Sequence, residues 1–292
     1  MRMHCSLKTR IFSPRAAALT ALLAMGLLAC RDKLPQQPKV PAPVAAPGEP
    51  VMIDLRLADT FAGSDTVAIE VLHDHSLKTS KQYEAIPLLP LLQKAIAAHQ
   101  LDTLITQVFF ECKDGYIPTN SYLELSEKGG GFLAFRDLDA PPDQAWPDNI
   151  RAAYAPFYLV WEDIPDEDHH LAWPYGLVQI RLEQAAEAFA ALFPQDRPGL
   201  AGAFLLYREN CLKCHAINGQ GGLMGPEFNA PRNITDYWSR ENIIAFARDP
   251  QSFRTGSKMP PITHLSDADF HQIVDYLQYL AARKASNGGL NP

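Results

Sequence analysis

The sequence predicts a multidomain fold: an α+β N-terminal part built on a mixed sheet, then an all-α C-terminal part. Two observations carry this expectation. Short apolar or alternating runs, such as residues 67–72 and 177–182, share the span 51–195 with one stretch of helix formers at 88–98. Past residue 198 the apolar residues instead recur at helical spacing, as in Phe270, Ile273, Val274, Leu277 and Leu280. Pro194-Gln195-Asp196-Arg197-Pro198 links the two parts, and no internal repeat is visible.

The first 29 residues are not expected to join either part. Arg2, Lys8, Arg10 and Arg15 form a basic start, and residues 16–29 are an apolar run of fourteen. That is short of the roughly 20 residues needed to cross a bilayer. The run ends Leu27-Leu28-Ala29-Cys30 and resembles a bacterial lipoprotein signal. The resemblance implies cleavage after Ala29, a lipid on Cys30, and a place on the periplasmic side of a bacterial membrane. Arg31 rather than Asp then favours the outer membrane, by the sorting pattern of enteric lipoproteins. An ordinary signal peptide is the competing reading. Six prolines between residues 31 and 50 make a semi-rigid tether. At about 3.1 Å per residue it reaches at most about 60 Å.

The formal charge is −7 over the chain, and a leader with four basic and no acidic residues leaves −11 on the remainder. Such an acidic chain excludes nucleic acid and anionic lipid as expected partners, and permits a basic protein partner.

Within 51–195, residues 67–72, 106–110, 132–135, 157–161 and 177–182 read as strands. Residues 88–98 read as a helix after Pro87, and 184–192 as a short alanine-rich helix. Phe110-Glu111-Cys112-Lys113-Asp114-Gly115-Tyr116, then Leu123-Glu124-Leu125 and residues 131–137, resemble the sulfite-oxidase type of molybdopterin-binding domain. The resemblance runs over about residues 60–183 and implies a leucine-rich strand at 123–125. In its catalytic members a cysteine thiolate holds molybdenum, and Cys112 is the cysteine of this span. Glu111 and Asp114 flank it, and no basic or glycine-rich phosphate cradle does. Molybdopterin is therefore not expected, and Cys112 reads as a buried strand-end thiol; a molybdenum ligand or a redox thiol are the alternatives. His73-Asp74-His75 and the 166–170 run could contribute to a metal site, but read better as a strand end and a solvated loop. No Ser-His-Asp arrangement or phosphate loop is identifiable.

The C-terminal part opens with a helix at 201–210, anchored by Phe204, Leu205 and Tyr207. Cys211-Leu212-Lys213-Cys214-His215 follows. C-x-x-C-H is the attachment signature of c-type haem, in which two thiols one turn apart bond the vinyl groups and the adjacent histidine faces the iron. Zinc or a dithiol centre is the rival; zinc needs further Cys or His ligands, and there is no second C-x-x-C. Gly225-Pro226-Glu227-Phe228-Asn229 and Ser257-Lys258-Met259-Pro260-Pro261 come next. A short helix with Ile243, Ile244, Phe246 and Ala247 is expected to stop before Pro250. Ser266-Asp267-Ala268-Asp269 reads as a capping-box variant that opens the last helix.

In combination these motifs resemble a class I cytochrome c domain over about residues 198–285. The resemblance implies one covalent haem c on Cys211 and Cys214, with His215 as proximal and Met259 as distal iron ligand. It further implies that the Pro226 carbonyl accepts the imidazole N–H. Met224 and His264 are the rival distal ligands. With both axial positions filled, the chain is expected to carry single electrons between redox partner proteins rather than to catalyse. The N-terminal part would dock a partner. The alternatives are a molybdenum oxidoreductase that feeds the haem, and an accessory subunit of a respiratory complex.

Overall fold

The computed structural model describes residues 48–162, 164 and 171–284. The leader, Cys30, nearly all of the tether and the 166–170 run lie outside the described residues.

Eight strands form one sheet: β1 (Val51–Asp54), β2 (Val67–Val71), β3 (Lys81–Pro87), β4 (Thr106–Cys112), β5 (Thr119–Ser121), β6 (Phe132–Asp137), β7 (Phe157–Val160) and β8 (Tyr175–Gln184). The order is β2-β3-β6-β7-β8-β4-β5, with β1 also paired to β8. A mixed sheet is expected, but each described pairing is antiparallel. The ten-residue β8 is the hub. β4 pairs along most of it, while β7 and β1 take its first and later residues.

Three helices belong to this part: α1 (Leu88–His99), α2 (Tyr122–Glu127) and α3 (Asp148–Tyr154). Strand alternation sends neighbouring side chains to opposite faces. Leu133, Leu159 and Val108 thus join the core under α1, whereas Ala134, Tyr158 and Val160 join an aromatic core with Tyr83, Trp146 and Tyr154. Burial on both faces explains why these strands read as continuous apolar runs.

Two expected elements differ. Residues 123–125 lie in α2 rather than a strand. The Ser121 hydroxyl accepts the Glu124 N–H at 3.1 Å, and this cap starts a helix that buries Tyr122 and Leu125. The expected helix at 184–192 is reduced to α4 (Ala185–Ala188). Beyond it the chain turns so that Phe189 and Leu192 enter the next core, where the Tyr276 hydroxyl donates to Leu192 O at 2.7 Å.

The remaining helices are α5 (Ala201–Asn210), α6 (Arg240–Arg248), α7 (Pro250–Phe253) and α8 (Asp267–Ala281). α5 crosses α8, with the Phe204 and Tyr207 rings 6.0 and 5.5 Å from Tyr276. The same core takes in Phe109 of β4 together with Phe189 and Leu192. Phe109 points away from Val108 and Phe110, so the helices rest on the sheet's second face at β4.

Candidate functional site

The site begins where α5 ends. Cys214 N–H and His215 N–H both donate to Cys211 O, at 3.0 and 2.9 Å, so the motif closes as one turn. Both thiols are half-buried and free. Burial pushes Cys211 up to about 12, and it raises Cys214 as well.

His215 is 8% exposed. Its Nδ1–H donates to Pro226 O at 2.9 Å, so in the neutral ring Nε2 is the nitrogen with the lone pair for a ligand bond. Burial lowers the imidazole pKa, against the opposing bond to Pro226. Phe228 stacks on it at 4.2 Å and 16°, and the buried Tyr207 hydroxyl donates to His215 O at 2.8 Å. Gly225 completes the cradle: a Cβ there would lie 2.2 Å from His215 Cε1, inside the ring's own space.

Beyond Pro226, the Glu227 carboxylate accepts three backbone N–H groups: Asn218 at 3.1 Å, Gly219 at 2.9 Å and Asn229 at 2.7 Å. Asn229 and Asn233 are buried. Their side-chain amides donate to Leu280 O at 2.9 Å and Leu277 O at 3.0 Å, tying the loop to the last turn of α8.

Met259 is half-buried and packs against the core that also takes Cys211, Phe228, Ile244 and Ala247. No residue of α6 is fully buried, although Ile243, Ile244, Phe246 and Ala247 give it an apolar side. The rival ligands sit elsewhere. Met224 is 41% exposed, and His264 is exposed with Nε2 2.8 Å from Asn210 Oδ1.

These residues fit a haem. A neutral imidazole presents a free Nε2, two thiols stand one turn apart, and a thioether and apolar side chains flank the same core. They fit zinc less well, because no group of three or more His, Cys, Asp or Glu among the described residues could hold a metal ion.

Cys112 is buried at the end of β4 in the core under α1, and burial raises its pKa, with Asp114 and Glu111 nearby. The His73-Asp74-His75 segment divides. His73 is exposed, His75 stacks with Trp173 at 6.0 Å, and Asp74 is buried as acceptor for the Tyr83 hydroxyl at 2.8 Å and the Tyr158 hydroxyl at 3.1 Å. Asp74 is thus a polar pin in the aromatic core.

Sequence reasoning proposed Cys211, Cys214, His215, Pro226 and Met259, and the structure puts the Pro226 carbonyl on the His215 ring. That reasoning missed Tyr207 as a support of the His215 backbone, Phe228 as its stacking partner and Glu227 as the loop's anchor. The Glu in Gly-Pro-Glu-Phe-Asn was the one visible signal of the last.

Residues 201–277 match the family described as cytochrome C oxidase, cbb3-type, subunit III. A curated relative, cytochrome c oxidase subunit 2 of Alkalihalophilus pseudofirmus, is 29% identical over 120 residues, covering 39% of this chain and 32% of the relative. The chain thus spans about a third of that protein's length. No solved structure gave a significant match. Over residues 201–277 the chain is thus similar to a c-type cytochrome domain, and this similarity supports a haem module of electron transfer.

Proposed function

We propose that the protein is a lipid-anchored, periplasmic mono-haem cytochrome c that relays single electrons between redox partner proteins. The observation that carries this reading is His215, whose Nδ1–H is held by Pro226 O so that Nε2 is left for iron. Haem c, once bound, supplies a one-electron iron couple. Cys211 and Cys214 would hold it by thioether bonds, and His215 Nε2 and the Met259 sulfur would ligate its iron. A thioether and an imidazole as ligands would favour ferrous iron and raise the potential, as suits a carrier, and would leave no position for a substrate. Cys30 carries the lipid, and the proline-rich tether lets the folded region reorient near the membrane.

A second reading is favoured by the comparisons. Both the family and the relative are described as cytochrome oxidase subunits. On that reading this chain is an accessory electron-transfer subunit of a respiratory complex. Co-purification with a large partner in mild detergent supports it, and a clean monomer counts against it.

The deciding experiment is production of the full chain in a host competent for both cytochrome c maturation and molybdopterin synthesis. One haem per chain that survives denaturation, absent in Cys214→Ala, supports the carrier. A normal haem content in Cys214→Ala sinks the attachment reading. Met259→Ala is expected to lower the potential and open the iron to added ligands; an unchanged ferric spectrum transfers the role to Met224 or His264. Cys30→Ser is expected to move the protein from the membrane to the soluble fraction. Stoichiometric molybdenum in the same preparation would revive Cys112 as a ligand.

A further inference from the structure

The connection between β4 and β5 reaches the Cys211–His215 turn from the sheet. Ile117 N–H donates to Lys213 O at 2.9 Å, and Lys213 stands between the two motif cysteines. Leu223 N–H, in the glycine-rich stretch before Pro226, donates to Gly115 O at 2.7 Å. Gly115 has φ +86°, and a Cβ there would lie 3.0 Å from the Leu223 carbonyl carbon and 3.1 Å from Met224 N. The approach is backbone to backbone, so no side chain can rotate out of the way.

The connection is itself held by β8 and by the end of α3. Lys113 N–H donates to Gly176 O at 3.0 Å, and Lys113 Nζ donates to Ala155 O at 2.6 Å. Cys112 N–H donates to Tyr116 O at 3.0 Å, which closes the turn across Asp114 and Gly115. Burial raises the Tyr116 hydroxyl pKa, with Cys214 and Cys112 among the neighbouring groups.

The geometry points to a positioning role: the Asp114-Gly115-Tyr116 turn is part of the haem centre. It holds the residues between the cysteines, and the loop that leads to Pro226, in one arrangement. The inference rests on the haem reading above. β8 and the end of α3, through Gly176 and Ala155, thereby restrain the turn that carries His215. The N-terminal part then sets the haem's ligation and redox poise from within the molecule, besides any docking it performs.

The test uses the full-length, haem-loaded chain. Gly115→Ala is compared with Gly129→Ala, where φ is +81° and a Cβ would meet nothing within 4 Å. The second variant carries the backbone strain without the contact. Three quantities are read: the midpoint potential, the methionine-to-iron charge-transfer band of the ferric protein, and the rate at which imidazole binds. Gly115→Ala is expected to keep its covalent haem, shift the potential, weaken the band and bind imidazole about tenfold faster, the lower range for loss of an outer support of a metal ligand. Gly129→Ala is expected to move none of the three. Equal readings for the two variants overturn the inference. If Gly115→Ala does not fold, Lys113→Met decides: it removes the Nζ anchor and touches no haem-loop residue. A potential shift there supports the role, and an unchanged potential overturns it. Absence of covalent haem in the unaltered chain is a different result, and it overturns the underlying reading too.

Discussion

His215 shows how single atoms set this site. Its Nδ1–H bond to Pro226 O fixes the tautomer, Phe228 fixes the plane, and Gly225 leaves room for the ring. Gly225→Ala puts a methyl 2.2 Å from Cε1 and must displace the imidazole. We expect covalent haem to be retained but the low-spin spectrum lost, as read by optical absorption of the ferric protein. A normal spectrum would remove Gly225 from the cradle. In the sheet, Lys81 Nζ lies 2.8 Å from Asp137 and 2.9 Å from Asp139, with its side chain 12% exposed and that of Asp137 fully buried. Lys81→Met strands the Asp137 carboxylate, at an expected cost of about 3 kcal/mol in urea unfolding. Burial lowers the Lys81 pKa, but the bonds to Asp137 and Asp139 outweigh it, so the net shift is upward from 10.5. A raised folded pKa means this contribution is complete below pH 10.5 and is lost as pH rises through the folded value. The motif residues were legible because haem chemistry demands their types and spacing. Tyr207 and Glu227 were not, because their work is done by one hydroxyl and one carboxylate on distant backbone atoms.

At the scale of elements, periodicity served best where one face is buried. α5 spans the expected residues, α6 stops before Pro250, and α8 starts at its cap. Ser266 and Asp269 form the reciprocal box, each side chain accepting the other's backbone N–H, at 3.2 and 2.9 Å. Ser266→Ala is expected to cost about 1 kcal/mol in thermal or urea unfolding, with the haem spectrum unchanged. β3 went unread. Tyr83 and Ala85 face one core and Ile86 the other, so buried and exposed residues do not alternate along it. The strand at 123–125 came from the resemblance to the molybdopterin-binding fold, and the Ser121 cap starts a helix there instead. The shortened helix at 184–192 is a tertiary effect: Leu192 O serves the Tyr276 hydroxyl.

At the scale of the molecule, the proline-flanked link at 194–198 marks a change of secondary structure, and the apolar core runs across it. Phe109 and Phe189 lie 6.0 Å apart, and Phe189 lies 5.7 Å from Phe204 of α5. Sequence periodicity reports which face of an element is buried, not which distant element covers it, so this sharing was invisible. Phe189→Ala is expected to destabilise the protein by about 3–5 kcal/mol. We further expect sheet and helices to unfold in one transition, with circular dichroism and haem absorbance coinciding. Separate midpoints would show the two parts to be energetically independent.

The bonds from Asn229 and Asn233 to Leu280 O and Leu277 O have a consequence for assembly. The segment after the cysteines is completed by carbonyls of α8, 51 and 44 residues downstream of the two amides. Its order therefore depends on a helix far away in sequence, and α8 must be docked before these amides find their acceptors. The helix that packs on α5 is thus also the latch that closes the centre.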